Sequence, residues 1–258
     1  MSGASEDIVR AAEALPPITL AEMDGIKLMN RIDTKFLLTR SQLLEFLRRA
    51  EGRYMAARIN GKAICAYDTI YYDTPGLEMY LAHHNRRLTR KKVRVRTYID
   101  SDGLTFLEIK RKNNHGRTKK KRIECSRSEV FSPECSAFLS EKSGYSPAEL
   151  APACSTAFNR ITLVNNARTE RLTIDLDLRF GNPRNSVEAS LGSAVVMELK
   201  QDGLQSSPAR EILQEMRVHP FKISKYCIGT ALTSPGLKQN RFKGKIHKIE
   251  KLINTKLI

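Results

Sequence analysis

The chain has 258 residues, with 44 Lys plus Arg against 28 Asp plus Glu, a formal net charge of +16 and an isoelectric point near 9.8. That length permits one large domain or two small ones, and so basic a balance points to an anionic partner: nucleic acid, an anionic membrane surface or a phosphate-rich small molecule. No stretch approaches the roughly 18 uncharged apolar residues of a membrane span, and Met1 to Leu20, with Glu6, Asp7, Arg10 and Glu13, has no apolar run of leader length; both are excluded, and a soluble cytoplasmic protein is expected.

Residues 1–26 form a short amphipathic lead-in broken at Pro16-Pro17. Arg31 to Leu38 alternates and reads as the first strand, ending at Thr39. Ser41 is the expected N-cap of a helix to about Glu51, with Leu43, Leu44 and Leu47 on one face and Arg48 and Arg49 near its end. Thr69–Tyr72 is a strand stopped by Asp73-Thr74-Pro75-Gly76, with a short helix after it from Leu77 to His83. Lys92–Asp100 and Thr105–Lys112 pair through a turn at Ser101-Asp102-Gly103, and Thr118–Cys125 returns after a turn at Asn113-Asn114-His115-Gly116. Residues 128–158 read as helical, with breaks at Pro133, Gly144 and Pro147. Strands follow at Asn159–Asn165, Arg171–Phe180 and Ala194–Lys200, then a helix from Pro208 to about Val218 capped by Ser207. The stretch from Leu237 is basic and partly helical. About eight strands, mostly joined by hairpin-length turns, favour an antiparallel barrel or strongly curved sheet over a parallel α/β fold.

The five cysteines, Cys65, Cys125, Cys135, Cys154 and Cys227, are scattered and never spaced CxxC. That argues against a disulfide framework and a zinc ribbon, and for a reducing compartment.

Charges recur on alternate positions of the predicted strands: Arg94-Val95-Arg96, Glu108-Ile109-Lys110 and Glu198-Leu199-Lys200. Alternate residues share a face, so one face holds long cations with single carboxylates among them, more than solubility requires. Arg86, Arg87, Arg90, Lys91, Lys92, Arg94 and Arg96 place seven cations in eleven residues with no acid between them. Arg90 to Lys92 read as a solvated run, whereas Arg94 and Arg96 lie opposite Val93 and Val95 and offer planar forks suited to phosphate oxygens. Glu108 and Lys110 share a face, as do Lys120 and Arg122. One cross-strand ion pair would not account for Lys119, Lys120, Lys121 and Arg122 together.

Val196, Glu198 and Lys200 also share a face, and a carboxylate there is costly unless it is paired or holds a metal; a structural ion pair and a metal ligand fit Glu198 equally. Asp175 and Asp177 form a similar same-face pair. Lys222-Ile223-Ser224-Lys225 is either a surface loop or a further basic site. His83 and His84 are adjacent, diverge in a strand and are set aside as metal ligands, and no GxxxxGK(S/T) phosphate loop occurs. Two like charges about 6 Å apart repel by roughly 3 kcal/mol at an effective dielectric of ~20. Cations facing one another inside a tunnel therefore make sense only with anions among them, and a polyphosphate chain with a divalent metal would satisfy every charge.

In this order, Arg31-Ile32-Asp33-Thr34-Lys35-Phe36, Tyr71-Tyr72-Asp73-Thr74, Arg94-Val95-Arg96, Phe106-Leu107-Glu108-Ile109-Lys110, Phe158-Asn159-Arg160, Met197-Glu198-Leu199-Lys200 and Lys222-Ile223-Ser224-Lys225 resemble the catalytic domain of the vacuolar transporter chaperone (VTC) family, over about residues 27 to 230. Each motif alone is weak; seven in order are specific. The resemblance implies the triphosphate tunnel metalloenzyme (CYTH-like) superfamily and an α+β, mainly antiparallel β fold. That fold is an eight-stranded β tunnel barrel with peripheral helices at 27–232, between a lead-in at 1–26 and a basic tail at 233–258. It implies a polyphosphate polymerase needing Mn2+ or Mg2+, with ATP and inorganic polyphosphate as partners: the ATP γ-phosphoryl group passes to the growing chain and ADP leaves. Lys35, Arg94, Arg96, Lys110, Arg160 and Glu198 form the implied catalytic set. Arg87, Lys120, Arg122, Lys200, Lys222, Ser224 and Lys225 are expected to hold phosphates, and Glu198 with Glu108 to hold the metal.

Two departures from the family stand out. Phe158 occupies the position of the family's aromatic hydroxyl, which removes one phosphate hydrogen bond. The regulatory SPX domain and the membrane domain are expected to be absent, which leaves inositol-phosphate control, product translocation and a membrane-protein partner open. The sister CYTH branch of triphosphatases and adenylate cyclases usually starts with ExExK, where this chain has Arg31-Ile32-Asp33-Thr34-Lys35. The rival enzyme is a tunnel tripolyphosphatase or nucleoside triphosphatase with water as acceptor. The rival from another class is a nucleic-acid-binding protein; Glu108 and Glu198 amid the cations, and few interleaved aromatics, count against it. Arg241 to Lys256 has six Lys or Arg against Glu250 and reads as a solvated helix, with an anionic membrane surface or a tunnel mouth as alternative seats.

Overall fold

The computed structural model describes residues 3–24, 31–115, 117–203 and 206–257; the expected boundary at 26/27 and Gly116 of the predicted turn lie outside them. In chain order the elements are α1 (Gly3–Ala14), β1 (Pro17–Ile18), α2 (Leu20–Asp24), β2 (Arg31–Leu38), α3 (Arg40–Ala50), β3 (Tyr54–Ala57), β4 (Ile64–Asp73) and α4 (Glu78–His84). Then come β5 (Arg90–Tyr98), β6 (Leu104–Lys112), β7 (Thr118–Glu124), α5 (Pro133–Ser143), β8 (Ala151–Asn165), β9 (Glu170–Gly181), β10 (Glu188–Ser190), β11 (Val195–Asp202), α6 (Pro208–Glu215), α7 (Lys225–Thr233) and α8 (Asn240–Ile253). The main strands pair in the order β2-β11-β9-β8-β4-β5-β6-β7, every pairing antiparallel. This is the expected α+β architecture, an eight-stranded antiparallel sheet that curls on itself. Among the described residues no ladder joins β7 to β2. Instead, Phe221 donates its N–H to the Lys35 carbonyl at 2.6 Å, and Lys92 Nζ on β5 donates to Ser224 Oγ at 2.9 Å. The segment before α7 therefore spans between the two sides of the curl. No helix among the described residues is long and apolar enough to cross a membrane.

Most of the outer face of the sheet is apolar and clad by helices, while on β5–β7 it also carries Lys91, Arg111, Lys119 and Lys121. Ile8, Ala12 and Leu15 around α1 pack with Leu43, Phe46 and Leu47 of α3 and Ile212 and Leu213 of α6 over β2, β8, β9 and β11. Val93, Val95, Leu107 and Ile109 of β5 and β6 lie under Cys135 and Leu139 of α5. At one end Leu37, Tyr71 and Val196 join Phe221, Ile223, Tyr226 and Ile228 of the α7 region and Phe242, Ile246 and Ile249 of α8 in one apolar cluster. The basic terminal stretch is thus a helix with one face buried, not a fully solvated one.

Several local expectations shift. The α3 cap is Thr39, not Ser41: the Gln42 N–H donates to Thr39 Oγ1 at 3.1 Å and the Thr39 N–H donates to Gln42 Oε1 at 2.9 Å, a capping box that starts the helix two residues earlier. The helical reading of 128–158 holds for α5, which Gly144 ends in the left-handed region at φ +73°, and for a single 3-10 turn at Pro147–Glu149. Ala151 onward is strand; Ala153-Cys154-Ser155-Thr156-Ala157 are small and weakly polar, so their alternation in burial leaves no period in the sequence. β3, the first half of β4, β10 and α7 were not expected. Asp73, read as turn chemistry, is a buried carboxylate that accepts from the N–H groups of Met79 at 3.0 Å and Tyr80 at 2.9 Å and from the Tyr226 hydroxyl. It ties α4 to α7.

Gly229 sits where α7 meets the sheet: a Cβ there would lie 2.5 Å from the Phe180 ring and 2.8 Å from Cys154 Sγ. Gly229→Ala is expected to destabilise by about 1–3 kcal/mol through overpacking, despite the better helix propensity of alanine. Denaturant unfolding measures it; unchanged stability would mean that α7 stands further from β8 and β9 than described.

Candidate functional site: a cationic cavity inside the curled sheet

Alternation sends even-numbered residues of β5–β7 inward: Lys92, Arg94 and Arg96, then Lys110, then Lys120 and Arg122. From the other strands come Lys35, Tyr67, Tyr71, Arg160, Thr173, Asp175, Glu198 and Lys200, with Ser224 and Lys225 from the start of α7. The cavity they enclose is about 580 Å³, a size that suits a nucleotide-scale ligand. Eleven cations line it among the described residues, against the carboxylates of Asp33, Asp175 and Glu198.

Three carboxylates are each clamped between two cations. Glu108, fully buried, pairs with Arg94 at 2.5 Å and with Lys120. Asp175 receives Arg160 Nε at 2.6 Å and Nη2 at 2.9 Å, and pairs with Lys225. Glu198 pairs with Lys35 at 2.7 Å and Lys200 at 3.7 Å. Burial alone would raise the Glu198 carboxyl, but Lys200, Lys35 and Lys110 hold it well below the usual carboxylate range. Each triad keeps one net positive charge.

Arg96 and Lys110 have no ion-pair partner among the described residues. Arg96 Nε donates to Thr69 Oγ1 at 3.1 Å and its guanidinium lies 5.5 Å from the Phe158 ring centre. Burial, then Arg94 and Arg160, push it down to about 10. Lys110 is driven well below the usual lysine range, by Arg94 first and burial second. A buried charge left unmatched is costly, so Arg96→Gln is expected to raise the thermal stability of the empty protein. The same change should weaken tripolyphosphate about ten- to a hundredfold, the worth of a charged hydrogen bond. Melting curves and titrations together check it; loss of stability alongside loss of binding would make Arg96 a structural residue.

Phe158 stacks on Tyr67 with ring centres 5.4 Å apart, and its face meets Arg96, Arg160 and Lys225, the last at 4.5 Å. In place of a hydroxyl, the position supplies a platform that holds three cations together. Lys225 is pushed down to about 7 by burial, against Asp175 and with Arg160 and Lys35 adding to the fall. Lys200 is pushed down to about 8 by burial, opposed by Glu198. An anion raises both, so binding takes up protons, and affinity is full below about pH 7 and falls as pH rises past the empty-state values. Sulfate, which does not titrate in this range, should raise the pH of unbuffered protein at pH 8. No rise, or an equal rise with Lys225→Met, would rule this linkage out.

The structure brings together Lys35, Arg94, Arg96, Lys110, Lys120, Arg122, Arg160, Glu198, Lys200, Ser224 and Lys225. Arg87 lies elsewhere, in a groove on the outside of the sheet, and Lys222 is exposed, away from the cavity lining. Glu108, expected as a metal ligand, is sealed behind Arg94 and Lys120. Asp177 parts from Asp175: a bulge opposite, with φ +54° at Asp177, turns it to Arg40 and Asn159. Lys92, read as solvated, lines the cavity, as does His83, whose Nδ1 is 2.9 Å from Cys227 Sγ and which burial holds down to about 3. Reading the Tyr67, Thr69, Tyr71 alternation back from the Tyr71-Tyr72 motif would have found that part of the wall.

The family model described as the VTC domain matches residues 30–234. No curated protein matches the chain. Among solved structures, a protein from Hippeastrum named for adenylyl cyclase and described as having a dominant triphosphatase activity aligns with 81% of this chain and 99% of its own at 12% identity, with a TM-score of 0.51. A second, described as a hypothetical protein, aligns with 78% of this chain and 97% of its own at 12% identity, with a TM-score of 0.31. By the match over residues 30–234, the chain belongs to the VTC-domain family.

Proposed function

We propose that this chain is a metal-dependent polyphosphate polymerase, transferring the ATP γ-phosphoryl group to the end of an inorganic polyphosphate chain and releasing ADP. The observation that supports it is the pair Arg96, buried, and Lys110, half-buried, both without ion-pair partners among the described residues, on a wall with three clamped carboxylates. Such a wall is matched by a string of closely spaced charges. A single carboxylate or phosphate would leave most of the cations unmet.

In this reading a terminal oxygen of the acceptor attacks Pγ in line, the bond from Pγ to the β-bridging oxygen breaks, and its electron pair leaves on ADP. No covalent nucleophile is needed; positioning and charge neutralisation suffice. Arg94, Arg96 and Arg160 orient the phosphates by their forks, and Lys35, Lys110, Lys200 and Lys225 set the potential. Ser224 Oγ, already bonded to Lys92, offers a neutral contact beside them.

No cluster of three His, Cys, Asp or Glu occurs among the described residues, so a metal in the cavity would draw only part of its ligands from them. Glu198 is the triad carboxylate most open to the cavity, 22% exposed against 3% for Asp175 and 0% for Glu108. One carboxylate plus phosphate oxygens suits Mg2+ or Mn2+, so the residues fit a metal arriving with the nucleotide at Glu198. It would neutralise charge developing on the transferred group.

The triphosphatase activity described for the Hippeastrum protein motivates a second reading, the same cavity with water as acceptor. The deciding experiment incubates the protein with ATP and Mn2+ and measures ADP, orthophosphate and long-chain polyphosphate separately. ADP with polyphosphate is expected. Orthophosphate as the only phosphate product moves the reading to a hydrolase, and no turnover of ATP or tripolyphosphate overturns both.

A further inference from the structure

We propose that the outer wall of β5–β7 is a second polyanion site, a groove that holds the polyphosphate chain outside the tunnel. The choice of polyanion rests on the polymerase reading; the existence of the site does not. The groove, about 590 Å³, runs between α4, α5 and the outer face of the three strands, and nine cations line it against one carboxylate, Glu78.

The register is the main argument. Lys91 of β5 lies directly opposite Arg111 of β6, and Arg111 directly opposite Lys119 of β7. These odd-numbered positions face outward, so three like charges stand in one row across three strands, with Lys121 beside them opposite Ile109. Like charges directly opposed destabilise a sheet, and a surface built only for solubility intersperses both signs. Among the described residues no ion pair on this face relieves the row. Arg111, Lys119 and Lys121 have no ion-pair partner among the described residues, and Arg111 reaches only the Lys142 carbonyl, at 3.4 Å. The one carboxylate makes no ion pair with the row: Glu78 Oε2 accepts from the Tyr145 hydroxyl at 3.4 Å, while the Tyr145 ring lies 4.9 Å from Lys91 Nζ.

The groove and the tunnel approach each other near the tip of the β6–β7 hairpin. Thr118 lines the tunnel, and its cross-strand partner Lys112 lines the groove. The β6–β7 hairpin is thus a wall one strand thick, with Lys110, Lys120 and Arg122 on its inner face and Arg111, Lys119 and Lys121 on its outer one. A chain leaving over the Lys112–Thr118 rung meets the outer row within a strand spacing or two, about 5–10 Å. Arg87, which the tunnel does not include, belongs to this groove.

A bare phosphate chain fits better than nucleic acid. Single-strand binders stack bases on aromatic platforms, and the groove's one aromatic residue among those described, Tyr145, is engaged with Lys91. A concave floor between two helices also offers a threadlike polyanion more contact than a flat lipid surface.

The test measures equilibrium binding of end-labelled long-chain polyphosphate and of tripolyphosphate to the whole protein at several salt concentrations, without nucleotide. Arg111→Gln/Lys119→Gln/Lys121→Gln should weaken the long chain at least about tenfold and lower the log–log salt slope by about three, one per phosphate contact removed, and leave tripolyphosphate unchanged. Lys121→Gln alone, at an exposed site, should lower the slope by about one and guards against misfolding of the triple variant. Arg96→Gln should weaken both ligands. Unchanged long-chain binding in the triple variant, or an equal loss for both ligands, overturns the groove. A single-stranded oligonucleotide held through these three residues more tightly than polyphosphate overturns the choice of ligand. Because no turnover is read, groove-dependent binding in a protein that makes no polyphosphate would sustain the groove and overturn the polymerase.

Discussion

Glu198→Gln is expected to bind tripolyphosphate in a chelating buffer at least as tightly as the parent, yet to turn over ATP with Mn2+ or Mg2+ more slowly by on the order of a hundred- to a thousandfold. The two effects have opposite signs for one reason. Glu198 stands between Lys35 and Lys200, at 2.7 and 3.7 Å, and lowers the positive potential of the cavity. An amide of the same shape removes that offset, so an anion alone gains. A divalent cation loses Glu198, the clamped carboxylate most open to the cavity. A purely structural role would weaken metal-free binding and turnover together. Metal-dependent turnover within a few-fold of the parent would end the assignment of Glu198 to the metal.

Much of the cavity wall is legible in the sequence, because a strand that faces a polyanion on one side and helices on the other writes charge and apolarity on alternate residues. Arg94-Val95-Arg96 is such a record: the arginines line the cavity while Val95 packs under α5. The same rule fails where both alternating sets are cationic. In Lys119-Lys120-Lys121-Arg122 no periodicity separates the inward pair from the outward one, so a tunnel wall and an outer groove read as a single basic run. It fails again where residues are small and weakly polar: in Ala153-Cys154-Ser155-Thr156-Ala157, the first half of β8, polarity shows no period, so that half is taken for helix although Asn159–Asn165 reads as strand. α7 is buried all round, with every residue from Tyr226 to Thr233 inside, and a helix with no polar face shows no stripe. The separation of Asp175 from Asp177 depends on one bulge, a feature of pairing between β8 and β9 that neither strand encodes alone. Arg87 and Lys222 show the limit of carrying a motif over by order: each sits a few residues from cavity-lining positions, and a turn at Arg86, φ +61°, is enough to send its neighbour outside.

Asp175→Asn should cost roughly 3–5 kcal/mol of stability, on the order of 10 °C in Tm for a chain of this size. The carboxylate is 3% exposed and holds Arg160 bidentately, with Lys225 on its other side. Without it, two half-buried cations face each other and Arg96 across the Tyr67 and Phe158 rings. Cation–π contacts contribute about 0.5–2 kcal/mol each and are present in parent and variant alike, so they do not replace the lost charge. The pH dependence follows from sign. Burial would raise the Asp175 carboxyl, but Arg160 and Lys225 together hold it below the usual aspartate range. Its stabilisation is therefore full above about pH 4 and disappears as pH falls through the lower folded-state value, so the two proteins converge only in acid. Tripolyphosphate supplies the missing negative charge and should stabilise the variant more than the parent, narrowing the gap in Tm beyond what equal affinity would give. Thermal melts at neutral and acid pH, with and without tripolyphosphate, read all three effects. A gap that the ligand does not narrow would mean that Arg160 and Lys225 are spent on holding the fold and are not offered to phosphate, and the phosphate-binding wall would then reduce to Arg94, Arg96, Lys110 and the lysines around Glu198.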